Sequence, residues 1–358
     1  MTLTNKLKEK ISIEVIKTLI TRFENFPEDA SNNRNAPFHE AFLNAFSDKL
    51  NEKVHDIPFF IRLSSWQHGL STTLGQKFFE NVARNLCDGK KKEYTSKKLG
   101  NLQITETQKA NITNIITNLS NTTSTPDLSN ENSLIYNNYD TPLVSAIDFS
   151  ADVFIEDTDT ITAIELKSVK PNSGEMRGEK QKILEGKAAL FRLFPDKQIK
   201  FYIGFPFDPT VNPANESVTS FDKPRFLSSI INLTKYFDSN EVLIANELWD
   251  MLSGQENTME AILYIINSIS TTDFLTKFQL LTDNTKRLTP EYRNQLSEWN
   301  LFSEIELIDN NNTIIQKIGT NNALTKKYNK MAFNSKGNYC TDRYATLKEL
   351  LTNYKSNV

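Results

Sequence analysis

Asp152, Glu165 and Lys167 are the residues of this chain whose types and spacing best suit bond-breaking chemistry. They lie in the stretch Ser-Ala-Asp-Val-Phe-Ile-Glu-Asp-Thr-Asp-Thr-Ile-Thr-Ala-Ile-Glu-Leu-Lys-Ser-Val-Lys of residues 150–170. It reads as a short apolar strand carrying an acid, a polar turn, and a second apolar strand carrying Glu-x-Lys. Two carboxylates and an ammonium gathered at one point suit metal-dependent cleavage of a phosphodiester. A hard ion such as Mg²⁺ binds through one or two carboxylates together with substrate phosphate oxygens. It would stabilise charge on the phosphate and lower the pKa of a bound water, while Lys167 would orient that water or neutralise developing charge.

The elements that must position these groups are two strands, because residues i and i+2 of a strand point to one face. Glu165 and Lys167 therefore project together with Ile161, Ala163 and Val169. Whether Asp152 joins them depends on hairpin register, since a one-residue slip moves a whole strand's side chains across the sheet. Pairing of Ile155 with Thr160 places Asp152 beside Glu165 and Lys167, whereas pairing of Ile155 with Ile161 turns it away. A functional site predicts the first register, or a bulge that restores it. An ordinary charged hairpin is the competing reading, because Glu-x-Lys arises easily in a chain with 24% charged residues. Glu185-Gly-Lys187 is a second copy, and Asp88-Gly-Lys90 is similar. The copy at Glu165 differs in lying within a β-branched, alternating run.

The 358 residues allow a large core with two or three subdomains. With 38% hydrophobic residues the chain reads as soluble, and no apolar run approaches the roughly 18 residues of a membrane helix. The first residues lack a secretory signal pattern, so a cytoplasmic location is expected. Cys87 and Cys340 form no C-x-x-C pair, and His39, His55 and His68 are scattered, which excludes structural zinc, a disulfide framework and redox chemistry. The net charge of -3 argues against indiscriminate nucleic-acid binding. A local excess still suffices for a phosphate-facing patch: Lys90, Lys91, Lys92, Lys97 and Lys98 cluster, as do Lys326, Lys327, Lys330, Lys336 and Arg343.

Four regions are expected along the chain. Residues 1–100 read as helical, with apolar residues at three- and four-residue steps over 7–23, a helix opened by Pro37, and a third helix over 72–87. On that third helix Leu74, Phe78, Val82 and Leu86 form the apolar stripe, and Glu80 lies opposite with Gln76 and Arg84, which on periodicity alone is a solvated face. Residues 101–132 are rich in Asn, Thr and Ser and read as a connector, with a short helix possible over 105–119. Residues 133–213 give strands near Ala146 and Ala151, the Glu165 strand, a helix over 179–193 and a strand over 199–205. That order predicts an α/β core, a mixed sheet with a crossover helix. Residues 214–358 turn mostly helical, a region for DNA recognition or dimerisation.

Rival chemistries lack their residues. Tyr202-Ile-Gly204 matches half of a GIY-YIG signature, but no Gly-Ile-Tyr precedes it at hairpin distance, so it reads as a core strand. No paired histidines, H-x-K repeat or G-x-x-x-x-G-K-S/T loop supports an HNH, phospholipase-D type or nucleotide-driven enzyme. His39-Glu40 lacks the second histidine of a zincin.

Asp152, Glu165 and Lys167 together resemble the core of the PD-(D/E)xK nuclease superfamily. Further blocks, Ala36-Pro-Phe-His-Glu-Ala-Phe42, Ser71-Thr-Thr-Leu-Gly-Gln-Lys-Phe-Phe-Glu80, Pro171-Asn-Ser-Gly-Glu-Met-Arg-Gly-Glu-Lys180 and Glu241-Val-Leu-Ile-Ala-Asn-Glu-Leu-Trp-Asp250, are similar to the TdeIII-type restriction endonucleases. The likeness spans roughly residues 15 to 270. It implies a restriction-endonuclease-like α/β fold and a type II restriction endonuclease that hydrolyses both strands of double-stranded DNA with Mg²⁺ at GGNCC. It further implies a homodimer and a cognate DNA methyltransferase in the same system. Ala151 stands where the superfamily usually has Pro, which leaves Asp148 as a rival first acid. The resemblance also implies that Glu80, in the block most like the family, serves as the helix carboxylate that many such nucleases bring to the metals. A repair or nicking nuclease of the same core and a catalytically silent DNA-binding protein are the alternatives.

DNA contacts are expected at Arg177, Lys180 and Lys182, around the start of the helix after the Glu165 strand, where cations and helix-terminal amides can hold phosphates. Base reading at a G·C-rich target favours Arg or Lys, and the region of Lys326, Lys327 and Arg343 has the residue types. A solvated surface is the plain alternative for each of them.

Overall fold

The computed structural model describes residues 3–28, 41, 43, 50, 54, 56–95, 97–167 and 175–352. The chain divides into two compact units. The first, here the sheet unit, comprises Met1–Leu3 and Phe79–Leu263; the second, the helical unit, comprises Thr4–Phe78 and Tyr264–Val358. The chain passes between the units at 3/4, 78/79 and 263/264, whereas the sequence suggests divisions at residues 100, 132 and 213.

In chain order, α1 (Asn5–Phe23) and α2 (Ile57–Thr73) lead through a π turn, Leu74–Phe78, into α3 (Phe79–Cys87). The helix expected from Pro37 lies outside the described residues. The sheet unit continues with β1 (Lys90–Tyr94), β2 (Gln103–Thr105), α4 (Glu106–Ser120), α5 (Leu128–Ile135), β3 (Leu143–Ser145), β4 (Phe149–Glu156), β5 (Thr160–Leu166), α6 (Glu175–Leu193) and β6 (Gln198–Phe205). It ends with α7 (Lys223–Ser229), α8 (Leu233–Tyr236), β7 (Val242–Ile244), α9 (Asn246–Ser253) and the first half of α10 (Thr258–Ile269).

Five strands make one sheet in the order β1-β4-β5-β6-β7. β4 pairs antiparallel with β1 and β5, and β6 pairs parallel with β5 and β7. This is the mixed α/β sheet with a crossover helix that the sequence predicts, since parallel strands cannot be joined by a tight turn and need a crossover such as α6. β4 and β5 bury long β-branched and aromatic runs. Ala151, Val153, Phe154, Ile161, Ala163 and Ile164 are all at most 2% exposed. α6 lies close over one face at Gly186, where an added Cβ would stand 3.0 Å from Phe201 and 3.3 Å from Phe149. That close approach brings the polar first half of α6 down onto the end of β5.

Residues 101–132 are not a connector. Thr105 and Gln108 form a capping box at the start of α4, the Thr105 N–H donating to Gln108 Oε1 at 2.9 Å. Ile112, Ile115, Ile116 and Leu119 are buried on α4, each worth about 1.5–3 kcal/mol of hydrophobic burial. The polar residues that suggest a linker tie the elements together instead. Asn111 donates to Leu134 O at 3.0 Å and Gln108 to Ile135 O at 2.7 Å.

The helical unit holds α1, α2, the second half of α10, and α11 (Phe274–Leu281), α12 (Pro290–Glu298), α13 (Phe302–Asp309), α14 (Asn311–Ile318), α15 (Asn322–Tyr328) and α16 (Thr341–Thr352). Phe23 of α1 stacks on Phe274, with ring centroids 5.6 Å apart. Leu307, Ile314, Ile318 and Leu347 form a further cluster. Among the described residues no helix is long and apolar enough to cross a membrane.

Candidate active site

The β4–β5 hairpin sets the centre of the site. Val153 pairs with Ile164, Phe154 with Ala163, Ile155 with Thr162 and Glu156 with Ile161, and the Asp157 N–H donates to Thr160 O at 2.9 Å across the turn. The register is two residues from the expected pairing of Ile155 with Thr160, because the turn is tighter. A two-residue shift preserves the face. The next step of the ladder puts Asp152 opposite Glu165, and the Leu166 N–H donates to Asp152 Oδ2 at 3.0 Å. There is also a bulge, on the other side of β4. Lys90 pairs with Phe154 and Lys92 with Ala151, so Lys91 alone faces Asp152 and Val153.

Asp152 and Glu165 are each 7% exposed. Burial raises the Glu165 carboxyl above its ordinary value, and the nearby Asp152 charge raises it further, although Lys182 and Lys167 pull the other way. Ser150 Oγ lies 3.4 Å from Glu165 Oε2.

Three more charged groups close a ring with Glu165. Lys167 Nζ lies 3.3 Å from Glu165 Oε1 and 2.9 Å from Glu179 Oε1; Lys182 Nζ lies 2.9 Å from Glu165 Oε1 and 3.0 Å from Glu179 Oε2. The i, i+3 spacing on α6 puts Glu179 and Lys182 on one helix face. Burial works against both charges. Lys182 and Lys167 nevertheless hold the Glu179 carboxyl below its ordinary value, and Glu165 and Glu179 hold the Lys182 ammonium above its own.

On the other side, α3 brings Glu80. Its Oε2 accepts from Lys91 Nζ at 2.9 Å and from Arg84 at 3.2 Å, and the same Lys91 ammonium lies 3.0 Å from Asp152 Oδ1. Arg84 also donates to the Asp152 carbonyl at 3.1 Å, which pins α3 to β4. Although desolvation opposes it, the hydrogen bonds to Glu80 and Asp152 raise Lys91 above the ordinary lysine value.

Four carboxylates (Glu80, Asp152, Glu165, Glu179) thus meet four cations (Arg84, Lys91, Lys167, Lys182). Among the described residues no three acidic, histidine or cysteine side chains already converge as a metal cage. Lysine ammoniums stand at the carboxylate oxygens instead. The donor chemistry nevertheless fits a hard divalent cation: Asp152 and Glu165 are neighbouring buried carboxylates, and they offer only oxygen.

Comparison with known proteins gives the family. The family model described as "Type II restriction endonuclease, HinfI" matches residues 3–270. The type II restriction enzyme MjaII of Methanocaldococcus jannaschii is 44% identical over 324 residues, covering 86% of this chain and 85% of the relative. No solved structure matches. The chain belongs to the HinfI family of type II restriction endonucleases. It is therefore a site-specific deoxyribonuclease.

Within this endonuclease, Asp152, Glu165, Lys167 and Glu80 come together, as does Lys182. Glu80 is 9% exposed and faces the sheet unit's charges, so the solvated face read from periodicity is not where it lies. Asp148 is exposed and precedes β4, which separates it from the buried pair. Two expected DNA contacts are corrected. Lys180 is fully buried between Glu131 and Glu241, each at 2.5 Å, and Arg343 is buried against Glu304 at 2.7 Å, so neither reaches a phosphate or a base edge. Arg177 and Lys326 are exposed, and Lys327 pairs with Asp342. Of the family-like blocks, residues 36–40, 42 and 171–174 lie outside the described residues.

The places of Glu179 and Arg84 in this cluster, and of Lys91 between Glu80 and Asp152, are not legible in the sequence. Glu179 carries an i, i+3 signal with Lys182 that could have been noticed. Lys91 carries none, since a strand of sequence Lys-Lys-Lys-Glu-Tyr has no apolar alternation.

Proposed function

We propose that the sheet unit hydrolyses phosphodiester bonds in double-stranded DNA at GGNCC with Mg²⁺, through Asp152, Glu165, Lys167 and Glu80. The observation that carries this reading is the place of Asp152 and Glu165 one step beyond the Val153–Ile164 pair of β4 and β5, with Lys167 on the Glu165 carboxylate. Asp152 and Glu165, with Glu80 from α3, would hold the metal, which when bound supplies polarisation of the scissile phosphate and a more acidic water. Lys167, fixed between Glu165 and Glu179, would hold its ammonium at the point where the attacking water and developing phosphate charge need it. Burial of both carboxylates keeps bulk water from screening these charges.

The target GGNCC rests on the sequence resemblance to the TdeIII-type enzymes. A palindromic target favours a homodimer, since two-fold protein symmetry mirrors the site. A cognate methyltransferase would protect host DNA. Arg177 and Lys182 at the start of α6, and Lys90, Lys92, Lys97 and Lys98 around β1, are the cations placed to hold flanking phosphates. Lys326 and Lys327 remain candidates for DNA contacts in the helical unit.

The test is digestion of unmethylated phage DNA by the purified protein, with Mg²⁺ and with EDTA, followed by mapping of fragment ends. Discrete Mg²⁺-dependent ends at GGNCC are expected. Discrete ends elsewhere would replace the target, smearing would favour repair-type cleavage, and duplex binding without cleavage under any divalent metal would favour a silent binding protein.

A further inference from the structure

The carboxylates assigned to the metal are all engaged by ammoniums other than that of the Glu-x-Lys motif. Lys91 bridges Glu80 Oε2 at 2.9 Å and Asp152 Oδ1 at 3.0 Å, and Lys182 bridges Glu165 Oε1 at 2.9 Å and Glu179 Oε2 at 3.0 Å. Both come from outside the motif, one from β1 and one from α6. Both also have routes to solvent: the side chains are 35% and 18% exposed, so each ammonium can swing away on its flexible stem.

The charge balance sets a constraint. With four carboxylates against four cations the cluster is neutral, and a divalent ion entering alone would leave it with two surplus positive charges beside ammoniums that lie 2.9–3.3 Å from the carboxylate oxygens. Coulomb repulsion between unit charges about 4 Å apart is on the order of several kcal/mol per pair at intermediate dielectric, so entry of the ion alone among these ammoniums is opposed. A duplex changes the balance, since each phosphodiester brings one negative charge. Two phosphates restore neutrality, and an ammonium released from a carboxylate is then a ready phosphate ligand.

We infer that Lys91 and Lys182 are resident counterions of the metal-binding carboxylates, displaced when a divalent cation enters and passed to DNA phosphates, so that metal and DNA bind cooperatively. The inference rests on the site reading above. Lys91 and Lys182 are positioning residues in it: they hold the carboxylates apart from solvent cations until substrate arrives. By linkage, the factor by which duplex tightens metal binding must equal the factor by which metal tightens duplex binding.

The experiment titrates Mn²⁺ calorimetrically into the full chain without DNA, and then measures binding of a fluorescent duplex with and without Ca²⁺. For Lys91→Met and Lys182→Met, Mn²⁺ should bind about tenfold more tightly without DNA, because a resident competitor has gone. The Ca²⁺-induced gain in duplex affinity should shrink by about the same factor. Damage to the fold would weaken metal binding, which is the opposite sign. Lys182→Arg, which keeps the charge, should restore the weak Mn²⁺ affinity. Unchanged or weakened Mn²⁺ binding in both Met variants would overturn the inference. Asp152→Asn separates the two levels: if it abolishes Mn²⁺ binding while the lysine variants do nothing, only this inference falls. If Mn²⁺ binding survives Asp152→Asn, the site reading falls and takes the inference with it.

Discussion

Glu179 and Lys180 are neighbours on α6, yet they belong to two charge quartets of the same composition and different character. Glu179 joins Glu165, Lys167 and Lys182 at the end of β5, where the side chains are 9–20% exposed. Lys180 joins Glu131, Glu241 and Lys187, where none exceeds 3%. Two lysines against two glutamates make a clamp when sealed and an exchangeable site when open, because only the open set can trade one ionic partner for another through water. The sealed quartet ties α5, α6 and the turn before β7, since Glu131 and Glu241 come from outside the helix that carries both lysines. It resists exchange, so it holds α6 in place while Glu179 and Lys182 rearrange.

The largest effect expected from breaking this contrast is on the sealed side. Burial opposes ionisation of Glu241, but Lys187 and Lys180 outweigh it and hold the carboxyl below its ordinary value of 4.5. Glu241→Ala takes the carboxylate from buried Lys187 and leaves buried Lys180 with Glu131 alone, and should cost about 3–5 kcal/mol in urea unfolding. A loss under 1 kcal/mol would show that the quartet is not a clamp. The pH dependence follows from the depressed carboxyl. Its stabilisation is complete above the unfolded value near 4.5 and is lost as pH falls below that, towards the folded value. Wild-type stability should therefore drop more steeply below about pH 4.5 than that of Glu241→Ala.

On the open side, Lys167→Ala should leave the fold and duplex affinity near wild type while slowing cleavage by about 10²–10³-fold, the scale of removing one preorganised electrostatic donor. Single-turnover cleavage with saturating enzyme, beside the unfolding midpoint, makes the comparison. A variant that cuts at the normal rate would remove Lys167 from the site, and one that loses several kcal/mol of stability would make the open quartet a clamp as well.

The same contrast explains what could be read in the sequence. The β4–β5 hairpin, α6 and β6 were legible because their periodicities are strong and local, and the Glu-x-Lys spacing fixes a shared face whatever the register. Burial was not legible. Lys180 and Lys182 look alike on a helix whose first turns are dense with charge, and only the positions of Glu131 and Glu241, 49 residues before and 61 after Lys180, decide which one is sealed. Arg343 was misplaced for the same reason, its partner Glu304 lying on another helix. β1 was missed because three successive lysines carry no strand pattern. Its place at the sheet edge is set by pairing with β4, and an edge rich in lysine is a common way of blocking further strand addition.

That edge gives the smallest and most specific test. Lys97 and Lys98 are exposed beside β1, and Lys98 pairs loosely with Glu93 at 3.8 Å. Such a pair contributes at most about 1 kcal/mol to stability, so the double substitution Lys97→Ala, Lys98→Ala should leave unfolding unchanged. If the edge holds DNA phosphates, the slope of log affinity against log salt should fall by about 0.9 for each contact removed, and binding should weaken equally on cognate and random duplexes. An unchanged slope would assign these lysines to edge protection alone. A loss confined to the cognate duplex would place base reading there instead, because a phosphate contact cannot distinguish sequences while a contact to a base edge must.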